Sequence, residues 1–374
     1  MDYSLFIIFV LVIVIAINYS YLTFLVLSNQ NSRNKSPKPK PIVDYSFTIV
    51  VPFRNESQNL PTLLDSIKQL DYPQHLIQIL LVDDQSTDDS LSKINPFLDA
   101  HTQVIPNSGT GKKDALKTAF RWIHTDAVVL TDADCIVPKN WLNSYQDSFR
   151  NPTTLLCLGP ITFVKKSGLL YHLQQLENLS LMAITKAFTQ IEKPILANGA
   201  NLGFKALILE KSPSLNPESP SGDDIFLLNF VEKMYGRKAI AYLSDRDALV
   251  KTYAQTTLSE FWNQRLRWAS KQKHVKNSSF RWLGYLVFLI NFSIVLLLIV
   301  GFSNPYFWVL CLALWTYKTI LDSTIVAQAA RHTGINQSLG YLPILAVIYP
   351  FYISFAAIFS QFFSFNWKDR TYRA

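Results

Sequence analysis

Cysteine is scarce: Cys135, Cys157 and Cys311 are the only three in 374 residues. Their odd number and irregular spacing fit neither a disulfide framework nor a zinc knuckle, and a reducing compartment suits the middle of the chain best. Also missing are a basic region running into heptads and an interleaved basic–aromatic module. The net charge of +8 is therefore not read as nucleic-acid binding. No internal repeat occurs, and no low-complexity tract apart from one Pro/Lys segment. The first apolar run has Asp2 but no Lys or Arg ahead of it, and no small-residue cleavage site behind it. That combination points to a retained anchor rather than a removable leader.

Long apolar runs, by contrast, stand at both ends. Leu5 to Leu27 carries no charge and is long enough to cross a bilayer as a helix. The anchor is placed at 1–28 and an extended, basic linker at 29–45, where Arg33, Lys35, Lys38 and Lys40 alternate with Pro37, Pro39 and Pro41. By the positive-inside rule this linker is cytoplasmic, and so is the domain that follows. Residues 281–374 read as a membrane region with two to three transmembrane helices, at about Leu283–Phe302, Tyr306–Val326 and Tyr341–Phe363. Lys318 and Asp322, four apart, are expected to pair on one helix face. Pro343 and Pro350 predict a kinked or re-entrant third segment. Four full crossings would leave Lys368, Arg370 and Arg373 outside, whereas their charge favours the inside. The chain is thus expected to be integral to a cell (inner) membrane, with membrane lipids around it and a cytosolic domain at 46–280.

That domain reads as α/β. Ser46–Pro52, Ile77–Val82, Thr102–Ile105 and Ala127–Leu130 are short apolar runs that predict buried strands, with helical stretches near 57–70, 90–98 and 112–123 between them. Such alternation gives a mostly parallel, Rossmann-like sheet, here with flanking transmembrane helices. Ligands of such sheets sit beyond the carboxyl ends of the strands, and two of these strands end in acids.

Asp132-Ala133-Asp134 follows the fourth strand. Two hard carboxylates there suit Mg2+ or Mn2+ shared with substrate phosphates, or else form a turn or cap. Asp83 and Asp84 follow the second strand and can accept hydrogen bonds from ribose or base, although Ser86 or Asp88 can cap the next helix. Arg54-Asn55-Glu56 follows the first strand, where Glu56 also fits a helix start. Gly109-Thr110-Gly111-Lys112-Lys113 lacks the full phosphate-loop pattern, but Lys112 can still reach a diphosphate. In Ser221-Gly222-Asp223-Asp224 one carboxylate can take a proton from a hydroxyl while the other raises its pKa; helix capping is the plainer alternative. Thr257 to Glu260 fits a capping box opening a helix. On that helix Gln264, Arg267, Trp268 and Lys271 share a face, suited to phosphate and sugar or to lipid headgroups.

Taken in order, TIVVPFRNES, LLVDDQSTDDS, GKKDAL, VVLTDADC, NGANLGF, SGDD and QRLRW resemble the motifs of family 2 glycosyltransferases, which have the GT-A fold. The resemblance covers about Phe47 to Ser270. It implies an inverting, metal-dependent hexosyltransferase that moves a sugar from a nucleotide-sugar, with UDP expected, onto a membrane lipid or a growing envelope glycan. It places Pro52, Arg54, Glu56, Asp83, Asp84, Lys112 and Asp132 at the donor, and Asp134 with Asp132 at the metal. Asp224 is the implied general base. Gln264, Arg265, Arg267 and Trp268 fall at the diphosphate and acceptor end. Two departures stand out. Gln85 occupies a place where the family often has Gly, and the acidic pair is Asp-Asp instead of Glu-Asp, which keeps Asp223 as a second candidate base. Two other readings, a membrane nucleotidyltransferase and a catalytically degenerate scaffold, share the acidic site or the anchor. The first does not need QxxRW, and the second predicts loss of an acidic motif.

Overall fold

The computed structural model describes residues 3–30, 44–210, 223–270, 277–360, 365–367 and 370–372. The chain divides into two compact units, Ser32–Lys165 with Thr189–Tyr253, and Met1–Asn31 with Lys166–Phe188 and Ala254–Ala374. Residues 166–188 and 254–270 fall in the second unit, with the apolar helices.

In chain order the elements open with α1 (Tyr3–Ser28), β1 (Phe47–Phe53), α2 (Leu60–Lys68), β2 (Ile77–Asp83), α3 (Ser90–Ile94), β3 (Thr102–Pro106), α4 (Lys112–Phe120) and β4 (Ala127–Leu130). There follow α5 (Trp141–Phe149), β5 (Leu156–Leu158), β6 (Ile161–Phe163), α6 (Leu169–Gln190), β7 (Leu202–Lys205), α7 (Asp223–Tyr235), β8 (Ile240–Tyr242) and β9 (Val250–Thr252). The remainder are α8 (Leu258–Ser270), α9 (Ser278–Val300), α10 (Tyr306–Thr333), α11 (Leu342–Phe359), β10 (Phe365–Trp367) and β11 (Arg370–Tyr372).

The α/β unit is built on a seven-stranded sheet of order β3-β2-β1-β4-β7-β5-β8. β1 pairs in parallel with β2 and β4, and β2 with β3, whereas β7 runs antiparallel between β4 and β5. The mostly parallel α/β sheet expected from the sequence is therefore present. β1 reads FTIVVPF because both of its faces are covered. Phe47, Ile49, Val51 and Phe53 enter one core with Leu63 and Ile67 of α2 and Trp141 and Tyr145 of α5. Val50 enters the other with Leu116 of α4 and Leu228 of α7. The period of two along the strand thus sorts its side chains into the two layers of a three-layer domain.

Register decides where the site falls. Phe53 is level with Asp83, Asp83 with Pro106, and Val50 with Leu130. The segments that leave β1, β2, β3 and β4 therefore emerge along one edge, the carboxyl edge. β6 and β9 form a separate parallel pair, and Ile136 bridges to Lys251 of β9. That bridge lays β9 beside the residues that follow β4.

Among the described residues of the other unit, four helical segments are long and apolar enough to cross a membrane: Phe6–Ser28, Ser278–Val300, Tyr306–Thr333 and Leu339–Phe359. Lys318 does pair with Asp322, and Tyr19 of α1 donates to the same carboxylate at 2.5 Å. A charge in an apolar helix needs such partners. α11 continues through Pro350 as one helix, so no re-entrant break appears there. Most of the linker and tail cations discussed above lie outside the described residues.

Candidate active site in the sheet's carboxyl edge

The loops after β1 and β2 are laced together. Arg54 Nη1 donates to the carbonyls of Asp84 and Gln85 at 2.8 and 2.9 Å. Asn55 Oδ1 accepts from the Thr87 amide at 2.8 Å, and the Glu56 amide donates to Ser90 Oγ at 2.8 Å. Asn55 and Gln85 sit at φ +53° and +61°, the left-handed region that Asn tolerates and Gln disfavours. Asp83 Oδ1 accepts from the Ser86 amide at 3.0 Å, an Asx turn that shapes the loop. Glu56 Oε2 accepts from Asn59 at 2.7 Å. Pro52 lies on β1 opposite Val82.

Asp84 is buried and organises the next loop: its Oδ1 accepts from Asn107 Nδ2 and from the Gly111 amide, both at 2.8 Å. These bonds hold the segment 107–111 over the strand end and bring Lys112, the first residue of α4, to Asp132, with which it forms an ion pair. Two residues on, past buried Ala133, Asp134 Oδ2 accepts from Thr252 Oγ1 of β9 at 3.2 Å. Burial first, and then the carboxylates of Asp134 and Asp132, push the Cys135 thiol well above its usual range, which makes it an inert packing group.

Gly199 sits between the two halves of the cluster. A Cβ there would lie 3.2 Å from Lys112 Nζ and 3.9 Å from Asp224 Cβ. The Gly199 amide also donates to Asp224 Oδ2 at 3.3 Å, while Asp224 Oδ1 accepts from the Ile225 amide at 2.8 Å. Both readings of Asp224 thus have a footing: it contacts the start of its own helix, and it faces the Lys112–Asp132 pair across a glycine. Asp223 opens α7; its side chain, with Ser221 and Gly222, lies outside the described residues.

Asn201 holds the floor. This fully buried amide accepts from Trp141 Nε1 at 2.9 Å and Tyr145 OH at 2.6 Å, and donates to the carbonyls of Pro160 at 2.7 Å and Ala248 at 2.8 Å. Gly159 lets it approach: a Cβ there would lie 2.2 Å from Asn201 Cγ. The motif NGANLGF contains both Gly199 and Asn201 but gave neither a role, and the sequence gave no sign of Asn107 or Thr252.

Gln264, Arg265, Arg267 and Trp268 lie on α8, in the other unit. The capping box is formed: the Glu260 amide donates to Thr257 Oγ1, and the Thr257 amide to Glu260 Oε2, both at 3.2 Å. Arg265 is buried, with an ion pair to Glu177 of α6, a 2.6 Å bond to Gln264 Oε1, and its guanidinium 4.4 and 4.3 Å from the Phe261 and Trp268 ring centres. Burial opposes its charge, and the Glu177 carboxylate more than compensates, so its pKa is raised. Arg265 is therefore engaged inside its own unit. Lys271 lies outside the described residues.

Among the described residues no three His, Cys, Asp or Glu side chains are grouped as a metal cage. Asp132 and Asp134, two residues apart after β4, offer hard oxygen donors, which fits an ion completed by water and substrate phosphates better than a dedicated cage.

Acids, a lysine and a further carboxylate thus gather at the carboxyl edge of a mostly parallel α/β sheet, the place where ligands of such sheets bind. Residues 48–210 match the model of glycosyl transferase family 2, and the domain built on them belongs to that family. The poly-beta-1,6-N-acetyl-D-glucosamine synthase of Staphylococcus epidermidis is 23% identical over 224 residues, 58% of this chain and 52% of that one. An undecaprenyl-phosphate 4-deoxy-4-formamido-L-arabinose transferase of Pseudomonas syringae is 38% identical over 99 residues, 23% of this chain and 27% of that one. The matches thus span between about a quarter and about half the length of these curated relatives. A mannosyltransferase of Pyrobaculum calidifontis, solved with GDP-Man and Mn2+, shares the fold at TM-score 0.55 and 18% identity, over 94% of this chain and 99% of its own.

Proposed function

We propose that this glycosyltransferase is an inverting, metal-dependent, membrane-anchored enzyme that moves a sugar from a nucleoside-diphosphate donor to a membrane lipid or growing glycan. The observation that carries the reading is the convergence of Lys112, Asp132 and Asp224 about Gly199. Lys112 and the amino end of α4 offer positive charge to a diphosphate. Asp83, Asp84, Arg54, Glu56 and Pro52 border the space expected for the nucleoside. Gln264, Arg267 and Trp268 are assigned to the diphosphate and acceptor end, with Arg265 holding their helix.

Asp134, with Asp132, would hold Mg2+ or Mn2+, which neutralises charge building up on the leaving diphosphate. Asp224 accepts the proton of the acceptor hydroxyl as its oxygen bonds to the anomeric carbon. The bond from that carbon to the diphosphate oxygen breaks, and the nucleoside diphosphate departs with the electron pair. A single displacement of this kind inverts the anomeric centre. The lipid side of the reading draws on the apolar helices and on the relative named for undecaprenyl-phosphate; the metal draws on the Mn2+ of the mannosyltransferase. The basic residues flanking the spans in the sequence support a cytosolic α/β unit at a cell membrane.

The test is a donor screen on the protein in nanodiscs, with Mn2+ or Mg2+, UDP- and GDP-sugars and lipid extract. Nucleoside diphosphate released with one donor supports the reading. Pyrophosphate release would instead indicate nucleotidyl transfer, and silence from the folded protein would favour a scaffold.

A further inference from the structure

A buried ion pair grips the motif helix, and the sugar-transfer steps above do not use it. Arg265 of α8 and Glu177 of α6 are only 5% and 8% exposed. Glu177 engages both carboxylate oxygens. Oε2 accepts from Arg265 Nε at 3.0 Å and from Arg265 Nη2, while Oε1 accepts from the Tyr352 hydroxyl of α11 at 2.6 Å. Arg265 Nη1 in turn donates to Gln264 Oε1 at 2.6 Å. The central guanidinium carbon lies 4.3 Å from the Trp268 ring centre and 4.4 Å from that of Phe261. Phe261 meets Tyr352 edge to face at 5.7 Å, which closes the circle of contacts.

We infer that Glu177 and Tyr352 are positioning residues for sugar transfer, which act through Arg265 to set the Gln264 and Trp268 side chains. The inference rests on the glycosyl-transfer reading, which assigns those two side chains to the diphosphate and acceptor end. Three features carry it. A guanidinium is planar, with its donors in a fixed fork, so the edge that Glu177 grips decides where Nη1 and the flat faces point. Nη1 and the faces are what touch Gln264 and Trp268. Secondly, a guanidinium only donates, so it holds the Gln264 carboxamide by its oxygen. That leaves the Nε2 hydrogens as the groups Gln264 offers to a phosphate or hydroxyl oxygen. Thirdly, the Tyr352 hydroxyl holds the carboxylate oxygen that Arg265 does not, which fixes Glu177 against rotation and passes that order to the fork. A buried ion pair adds little stability over apolar packing of the same volume, but its geometry is sharply defined. Here the groups so defined are two members of the QRLRW motif. Arg265 thus acts through its neighbours instead of gripping a ligand itself.

The test uses the full chain in nanodiscs with two variants, Glu177→Gln and Tyr352→Phe. The second removes one hydroxyl and keeps the ion pair, so it folds even where the first does not. Trp268 is read first, with no substrate present. The emission of each protein minus that of its Trp268→Phe counterpart isolates one tryptophan of eight. Acrylamide quenching of that difference should rise in both variants, because the ring loses a fixed partner. A folded Tyr352→Phe protein with wild-type quenching of Trp268 overturns the proposal. Turnover is then followed as nucleoside diphosphate released from the donor that the screen selects. The kcat should fall about 10- to 100-fold in Glu177→Gln and about threefold or more in Tyr352→Phe. Variants that melt at a lower temperature yet keep the wild-type kcat would show that the pair serves stability alone, and would contradict the assignment. The quenching needs no reaction. A wild-type protein that transfers no sugar, while Trp268 loosens in both variants, would therefore count against sugar transfer and for the hold of Glu177 and Tyr352 on the motif.

Discussion

The Lys112 ammonium is ion-paired with the Asp132 carboxylate, across the gap between the start of α4 and the end of β4. The proposed site thus carries its own cation beside Asp132, and under the proposed function a donor diphosphate would meet that lysine. Lys112→Met should weaken donor nucleotide binding about 10- to 100-fold, the value of one charge-assisted hydrogen bond. Calorimetric titration of donor into wild type and variant measures it; equal affinities would remove Lys112 from the donor site.

Asn201→Ala removes partners from two buried donors and two carbonyls at once. A loss of about 3–5 kcal/mol is expected, because each stranded group costs about 1–3 kcal/mol and the effects overlap. Denaturant unfolding followed by the fluorescence of nearby Trp141 reads it directly.

Gln85→Gly should stabilise the loop. Gln85 occupies φ +61°, where a Cβ costs about 1–2 kcal/mol and glycine pays none of that. The extra freedom of glycine in the unfolded chain offsets part of the gain, leaving roughly 0.5–1 kcal/mol. A lower melting temperature for the variant would show that the 3.3 Å bond from Gln85 Nε2 to the Gly109 carbonyl matters more than the backbone strain.

Cys157 gives a pH dependence. Burial pushes its thiol up to about 12, against the pull of Ser148 and Lys205. Its unfolded pKa is about 8.5, so above that the unfolded state binds fewer protons than the folded one. The contribution is fully present below pH ~8.5 and is lost as pH rises toward 12, at up to about 1.4 kcal/mol per pH unit. Cys157→Ala should flatten that alkaline fall, and native Cys157 should resist alkylation at pH 8.

The strands with continuous apolar runs were legible: β1, β2 and β4 fall within a residue or so of their expected places, since SFTIVVP, IQILLV and AVVL have little choice but to be buried. The strands β5 to β9, three or four residues each, show no period and were not read. The helix expected at 90–98 closes at Ile94 and continues as a short 3-10 turn over Asn95–Phe97, where Pro96 has no amide hydrogen to carry the helical ladder on. The acids at strand ends were found because chain position alone delivers them to one edge. Asp84's bonds to Asn107 and Gly111 were not, since only the β2–β3 register brings those loops together. Nor was the grouping of α6 and α8 with the apolar helices, which rests on contacts such as Glu177–Arg265 between residues far apart in the chain.

The most direct test of the account is the Asp224→Asn variant, assayed for sugar transfer and for donor binding in the same preparation. The amide oxygen can keep one of the two contacts, to the Gly199 or the Ile225 amide, and the side chain has no basic oxygen to take a proton. Transfer should fall about 100-fold or more while donor affinity stays as in the wild type. Undiminished transfer would contradict Asp224 as the base, and with it the single-displacement mechanism built around Gly199.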